Sequence, residues 1–201
     1  MKVRMIDCVG YIVPSSIGYI ENDQPRMVKT PWYEDEIPFN MAAEIGTQKV
    51  ITEHSTIGLV ITTDGSISEI PREEYAEAEQ RVINELKELN KPFVVLLNTT
   101  SPDSETTKAL TSQLYEKYNV PVIPVDCMSL NEDDIKSILS GVLFEFPLKE
   151  VRVELPGWIS GLDSKHWLKR EVYDIISEEA VKLNRVRDVN EFSNSLNRCK
   201  Y

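Results

Sequence analysis

The sequence is poor in the residue types that build several common sites. Its three cysteines, Cys8, Cys127 and Cys199, are widely spaced and match neither a metal-ligand pattern nor a disulfide framework, which fits a reducing cytosol. It has no apolar run long enough to span a membrane, and Asp7 interrupts the apolar residues near its beginning. We therefore expect a cytoplasmic protein with no signal peptide and no direct membrane span.

Positive charge is also scarce. The 201 residues include 22 Lys and Arg against 33 Asp and Glu, so the formal net charge is −11. Such an excess of negative charge repels nucleic-acid backbones and anionic lipid surfaces, and we expect no nucleic-acid partner. The content of 41% hydrophobic and 27% charged residues is nevertheless typical of a soluble globular protein.

The most consequential absence is a phosphate-binding loop. The motif G-x-x-x-x-G-K-[ST] occurs nowhere in the chain. That loop supplies the backbone N–H groups, the lysine and the hydroxyl that hold nucleotide phosphates and Mg²⁺ in P-loop NTPases. The 201 residues therefore do not contain a complete P-loop site.

One short stretch nevertheless has the pattern of a second nucleotide motif. Residues 3–6 are mostly apolar and lead to Asp7, and Gly10 follows three residues later. In the D-x-x-G motif that opens switch II, the aspartate holds Mg²⁺, usually through water, and the glycine lets a backbone N–H approach the terminal phosphate. The alternative is a strand that ends in an ordinary aspartate turn, since the pattern alone is weak.

The rest of the first 148 residues alternates between strand and helix patterns. Further strands are predicted at 57–62, 93–97 and 120–125, and helices at 40–54, 71–89, 106–118 and 132–144. This alternation predicts an α/β fold with a parallel sheet. The two prolines of the last strand favour a position at the edge of that sheet.

Two regions depart from the alternation. Residues 11–38 contain four prolines and are predicted to form a long loop, either functional or disordered. After Leu148 the pattern changes to a short strand at 151–156 and a charged helix from 169 to about 187. We therefore predict a first domain at 1–148 and the beginning of another at 149–201.

Polar residues follow the predicted strands where a nucleotide site would lie. Asn98 ends the strand at 93–97, the position of the base-reading loop in NTPases of the GTPase-like class, and Cys127 and Ser129 follow the next strand. At the end of the strand at 57–62, Asp64 and Gly65 fit a role near phosphate and simple turn chemistry equally well.

Together these features resemble the stage IV sporulation protein A family. The matching stretches are residues 6–11, 25–27, 30–34, 42–47, 53–58, 61–65 and 166–168, and the resemblance extends to about residue 191. It implies a P-loop NTPase-like domain of the GTPase-like class, a parallel sheet with flanking helices, followed by the start of a helical middle domain. Asp7 and Gly10 would then be catalytic, with Mg²⁺ at Asp7, and Asn98, Cys127 and Ser129 would bind ATP.

The resemblance also implies a biological role. Members of the family hydrolyse ATP to polymerise into the base layer of the bacterial spore coat. They lie in the mother cell at the forespore surface, where a small membrane-bound anchor protein recruits them and other coat proteins bind above them.

The chain departs from the family pattern at several points. The phosphate-binding loop and the C-terminal domains are not in these residues, so we expect a truncated middle piece of the family protein. Asn98 is followed by Thr-Thr-Ser and not by the Lys-x-Asp that selects guanine, which favours ATP over GTP. A catalytically silent structural or interaction fragment, and a GTPase-like regulatory protein, stay open as alternatives.

The sheet itself carries a further expectation. In the GTPase-like fold, the strand that carries the phosphate loop lies between the switch II strand and the next strand in sequence. Without it, we expect residues 3–6 to pair directly with residues 58–62, because unpaired buried backbone groups are costly. The predicted order is 3–6, 58–62, 93–97, 122–125, all parallel.

The missing phosphate-binding loop gives the first testable prediction. The 201-residue chain will neither bind nor hydrolyse ATP appreciably, because phosphoryl transfer depends mainly on positioning and electrostatic stabilisation by that loop. Equilibrium binding of labelled ATP in the presence of Mg²⁺ checks this. Micromolar affinity, or turnover that Asp7→Ala abolishes, would contradict it.

Overall fold

A computed structural model of the protein describes residues 3–190 and 192. These residues form two compact units, which divide between Val142 and Leu143. The predicted domain boundary at Leu148 stays a prediction, and Cys199 lies outside the described residues.

The elements follow one another in chain order. The strands are β1 (Ile20–Glu21), β2 (Gln24–Pro25), β3 (Met27–Val28), β4 (Ile37–Pro38), β5 (Gly58–Thr63), β6 (Phe93–Asn98) and β7 (Val122–Val125). The helices are α1 (Phe39–Lys49), α2 (Arg72–Glu88), α3 (Glu105–Tyr118), α4 (Glu132–Phe144), α5 (Gly157–Gly161) and α6 (Trp167–Ala180). A π-helical turn, Val50–His54, continues α1.

The first unit is built on a parallel sheet with the order β5-β6-β7. β6 is apolar on both faces because helices cover both of them. Val95 and Leu97 pack with side chains of α2 and α3, whereas Val94 and Leu96 pack with α4. This arrangement confirms the α/β parallel-sheet fold, and β7 lies at a sheet edge as its prolines predicted.

Local sequence explains where the helices form. Ser104 caps α3 by accepting the N–H of Thr107, and Asn119 ends the helix in the left-handed conformation. Gly46 lies inside α1 despite its low helix propensity, because a Cβ there would approach the Trp32 ring to 3.2 Å. The glycine thus allows close contact with the preceding loop.

Residues 3–6 do not form the predicted strand. They have no regular secondary structure, and Val3, Met5 and Ile6 are exposed. Among the described residues, no backbone hydrogen bond joins residues 3–7 to residues 58–63, so the predicted direct pairing and four-strand order are wrong. The physical reason is that the chain just after these residues is bound to helices and not to β5. Gly10 is hydrogen-bonded to α1 and Tyr11 to α2.

The predicted loop at 11–38 contains short regular elements. β1 pairs antiparallel with β2, and β3 pairs antiparallel with β4. Asn22 and Asp23, both with positive φ, form the turn between β1 and β2, which is the backbone that such hairpins need. Pro25 and Pro38 allow these ladders because each lies in a two-residue strand with a free side, whereas Pro14 and Pro31 lie in turns.

The second unit corrects one prediction and refines another. Residues 151–156 have no strand structure, and the charged helix is shorter than predicted, since α6 ends at Ala180. His166 caps α6 by accepting the N–H of Leu168. Buried Glu145 forms ion pairs with Arg185 and Arg187, which hold the chain that follows α6 against the end of α4.

A buried polar cluster links the start of α2 to the end of α3. Glu79, only 5% exposed, accepts the Tyr118 hydroxyl at 2.8 Å and pairs with Arg72 at 2.6 Å. Burial and the neighbouring Glu79 carboxylate both raise the pKa of Tyr118. The carboxylate therefore depends on both partners to compensate for its loss of hydration.

We predict that Tyr118→Phe destabilises the chain by about 1.5–3 kcal/mol, because it removes a hydrogen bond to a buried charge. The free energy of unfolding in urea measures this. Tyr115→Phe is the matched control, since Tyr115 lies on the same helix and is 47% exposed. Equal effects of the two substitutions would show that the buried hydrogen bond is not important for stability.

Candidate functional site

The loops after β5, β6 and β7 converge at the carboxyl edge of the parallel sheet. The ladder places Thr63 beside Asn98, and Asn98 beside Val125, so the three strands end at the same level. Ligands of open α/β sheets bind outside the carboxyl ends of the strands. The polar residues that follow these ends therefore form the candidate site.

Asp64 is the charged residue that connects the first two loops. Its Oδ1 accepts hydrogen bonds from the N–H and the hydroxyl of Ser66, at 2.9 and 2.6 Å. Its Oδ2 accepts the hydroxyl of Thr99, beyond the end of β6, at 2.6 Å. One carboxylate thus fixes its own turn and reaches the neighbouring loop.

The hydrogen bonds keep Asp64 ionised. Burial by itself would raise the pKa of this carboxyl, but the hydrogen bonds from Ser66 and Thr99 favour the charged form and lower the pKa overall. An ionised carboxyl group only accepts hydrogen bonds, and the three groups that face Asp64 all donate to it, so its ionised form suits this environment.

The loop after β6 is held on both sides. Thr99 is fully buried; its N–H donates to the Val125 carbonyl at 2.9 Å, and its hydroxyl also accepts the N–H of Ser101 at 3.2 Å. The N–H of Thr100 donates to the Ser66 hydroxyl at 3.1 Å. The loops after β5 and β6 are therefore joined at two points.

Asn98 joins the loop after β7 to the same edge. Its Oδ1 accepts the backbone N–H of Cys127 at 3.0 Å. Because that N–H is a donor, the facing atom of the Asn98 amide is its oxygen, and the amide NH₂ remains a donor with no partner among the described residues. Burial and nearby Asp126 raise the pKa of the Cys127 thiol, which is therefore neutral.

Ser129 lies in the turn that Asp126 organises. The Ser129 N–H donates to the Asp126 carbonyl at 3.1 Å, and the Met128 N–H donates to the Asp126 carboxylate at 2.9 Å. The structure thus brings together three residues that the sequence singled out, Asn98, Cys127 and Ser129.

Asp7 is exposed, and Gly10 is hydrogen-bonded to a different part of the first unit. Gly10 has a φ of +80°, as a loop glycine, and its N–H donates to the Thr47 hydroxyl of α1 at 3.1 Å. The Tyr11 hydroxyl donates to Glu85 near the C-terminal end of α2, at 2.5 Å. The segment is thereby linked to the surfaces of two helices and not to the loops that carry Asn98.

The Tyr11 ring is held between charges on α1 and α2. The Arg81 guanidinium lies 3.9 Å from the ring centroid and also binds Glu44 at 3.1 Å. Burial raises the pKa of the Tyr11 hydroxyl, and the hydrogen bond to Glu85 raises it further. These contacts explain why residues 10 and 11 lie against α1 and α2.

The side chains of this site suit the base of ATP better than its phosphates and Mg²⁺. The Asn98 NH₂ group is a suitable donor for a ring nitrogen of a purine base. The described residues contain no cluster of three or more His, Cys, Asp or Glu side chains that could hold a metal ion, and Asp7 is a single exposed carboxylate. These residues thus fit the base but not, by themselves, the phosphates and the metal.

The sequence did not single out Thr99 or Ser66. Their importance arises from hydrogen bonds to residues 35 or 34 positions away, which no local pattern reveals. The one available signal was that polar residues follow two neighbouring parallel strands directly, at 64–66 and 98–101.

Two family models together match the chain along its whole length. Residues 1–147 match the family described as the stage IV sporulation protein A ATPase domain, and residues 148–201 match the middle domain of the same protein. Among solved structures, none gives a significant match.

Three curated relatives share about half of the aligned residues. The stage IV sporulation protein A of Bacillus anthracis is 51% identical over 189 residues, and those of Clostridioides difficile (strain 630) and Bacillus subtilis (strain 168) are 49% identical. Each alignment covers 94% of this chain but 38% of the relative. None of the helices that the structure describes has the length and hydrophobicity required of a membrane-spanning segment.

The Asp64 hydrogen bonds predict a titration that Thr99→Val will change. The pKa of Asp64 is lower in the folded protein than in the unfolded chain. Its carboxylate therefore stabilises the fold at pH values above the unfolded-state pKa of Asp64, and this stabilisation is lost as the pH falls through the folded-state pKa. We expect Thr99→Val to raise the Asp64 pKa, measured by carboxyl NMR.

Thr111→Val is the matched control for that titration, because the Thr111 hydroxyl bonds only to the Thr107 carbonyl within α3. It will leave the Asp64 pKa unchanged. A Thr99→Val protein with the native Asp64 pKa would show that the Thr99 hydroxyl does not contribute to this shift.

Proposed function

The chain belongs to the stage IV sporulation protein A family and has a role in sporulation, and from this premise we propose that it is part of an ATP-hydrolysing scaffold. In this proposal, residues 1–148 belong to the ATPase domain and residues 149–201 begin the middle domain. Hydrolysis drives self-assembly into the base layer of the spore coat. The matches to an ATPase domain support the enzymatic part of the proposal.

The observation that carries the proposal is the convergence of three loops at the carboxyl edge of the sheet. Asn98 and Cys127 are hydrogen-bonded there, with Ser129 in the next turn, so the residues proposed to bind the nucleotide are close together. Asn98 offers a donor to a purine. No Lys-x-Asp follows it, so the carboxylate that selects guanine is not at that position, which favours ATP.

The unpaired edge of β5 supports a position beside it for the phosphate-binding loop and the phosphates of the nucleotide. No described strand pairs with its outer side, and Ile61 is 63% exposed. An unpaired strand edge of this kind is a template for another strand. We propose that a strand leading to a phosphate-binding loop, from sequence outside these 201 residues, pairs there and brings Asp7 and Gly10 to the γ-phosphate and Mg²⁺.

The proposed partners are further copies of the protein, a small membrane-bound anchor protein and other coat proteins, at the forespore surface in the mother cell. The net charge of −11 supports recruitment by a protein anchor in place of direct binding to anionic lipid.

A second function is a catalytically silent scaffold or interaction piece. The observation that favours it is the lack of a phosphate cradle among these residues, since catalysis of phosphoryl transfer needs one. The two functions differ in whether these residues support hydrolysis when a cradle is supplied.

A chimera tests the proposal directly. The 189 matched residues would replace the corresponding stretch of the Bacillus subtilis relative, so that the rest of that protein surrounds them. We expect the chimera to hydrolyse ATP and to prefer ATP to GTP in a competition assay. A folded chimera without ATPase activity would favour the silent scaffold, and equal turnover of GTP would favour a GTPase.

In that chimera, Asp7→Ala will lower kcat by roughly 10²-fold or more, since the proposed role of Asp7 is to stabilise charge in the transition state. Asp35→Ala is the control, because Asp35 is also an exposed loop aspartate. Unchanged turnover in the Asp7 variant would remove Asp7 from the site.

A further inference from the structure

We propose that Asp64 is a positioning residue for nucleotide recognition, which acts through Thr99 and Thr100 to fix the loop that presents Asn98. The proposal rests on the function proposed above, because it assumes that Asn98 faces the base. Asp64 itself need not contact the nucleotide, since its oxygens already accept three hydrogen bonds from the protein.

The first step of the argument is that Asp64 determines the conformation of Thr99. The Thr99 side chain is fully buried, so its hydroxyl needs a partner, and it donates to the Asp64 carboxylate at 2.6 Å. A hydrogen bond to a charged acceptor is stronger than one between neutral groups. The same hydroxyl oxygen accepts the N–H of Ser101, which closes the turn after β6.

The second step is that Ser66 extends the restraint to Thr100. Asp64 holds Ser66 by two hydrogen bonds, and the Ser66 hydroxyl then accepts the Thr100 N–H at 3.1 Å. Consecutive residues of the loop after β6 are thereby bound, directly or through Ser66, to one carboxylate on the loop after β5.

The third step connects the restraint to Asn98. Asn98 is the last residue of β6 and directly precedes Thr99, so the backbone on its C-terminal side is held by the Asp64 contact of the Thr99 hydroxyl together with the bond from the Thr99 N–H to the Val125 carbonyl. Its side-chain oxygen is bound by the Cys127 N–H. The direction in which the amide NH₂ donates therefore depends on the loop after β5 and the loop after β7 together.

The sheet ladder does not explain these contacts. The last paired residues are Thr63, Asn98 and Val125, and the Asp64 hydrogen bonds lie beyond that level. Their loss leaves the paired strands in place and loosens the ends of the loops. We therefore expect a change in nucleotide binding and not in the catalytic step.

The first test measures amide hydrogen exchange in the 201-residue chain. Thr99→Val removes the hydroxyl at nearly constant volume, and we expect exchange of the Cys127 amide to become about tenfold faster. The Val95 amide, which bonds to the Pro121 carbonyl within the sheet, reports whether the core is affected and is expected to exchange as before.

Two further variants complete that test. Thr99→Ser keeps the hydroxyl and is expected to restore slow exchange at Cys127, whereas Thr111→Val, the control within α3, is expected to leave it slow. If Thr99→Val leaves Cys127 exchange unchanged, or speeds Cys127 and Val95 equally, Asp64 does not act selectively on the base-binding loops and the proposal is overturned.

The second test uses the chimera with the Bacillus subtilis relative. We expect Thr99→Val to raise KM for ATP about tenfold while kcat stays within about twofold, and Thr99→Ser to restore KM. An active chimera whose KM does not respond to Thr99→Val overturns the positioning role. A chimera without ATPase activity contradicts the proposed function instead, and the exchange experiment still decides whether Asp64 fixes the loops.

Discussion

The in-register parallel pairing of β5, β6 and β7 is the constraint on which the candidate site depends. It ends the three strands at one level, with Thr63, Asn98 and Val125 side by side. Residues that are distant in sequence become neighbours beyond that line. The helices that cover both faces of β6 supply the apolar burial that holds the pairing in place.

Beyond the last paired residues of the sheet, side-chain hydrogen bonds join the loops to one another. The Asp64 carboxylate binds the turn after β5 to the loop after β6, and the Asn98 amide binds β6 to the loop after β7. A carboxylate is suited to this position because the surrounding donors keep it ionised. The outer edges of β5 and β7 have no partner strand among the described residues, and β7 carries a proline where β5 has none.

The sequence predicted those elements whose patterns are local. The helix at 132–144 has the bounds of α4, and the prolines placed β7 at an edge, because helical periodicity and the missing proline N–H act within the element itself. The prediction of a strand at 3–6 is wrong because an apolar run forms a strand only where the edge of another strand is available to pair with it. Whether such an edge is available depends on the remainder of the fold. Thr99 was missed for a similar reason, since its partner Asp64 is 35 residues away.

The central claim is that the loops after β5, β6 and β7 hold the base of a nucleotide. A structure of the chimera with a non-hydrolysable ATP analogue and Mg²⁺ tests it most directly. The account predicts a hydrogen bond from the Asn98 NH₂ group to the adenine ring, with the hydrogen bonds of Asp64 to Thr99 and of Asn98 to Cys127 preserved. An adenine bound elsewhere, with Asn98 facing solvent, would contradict the account.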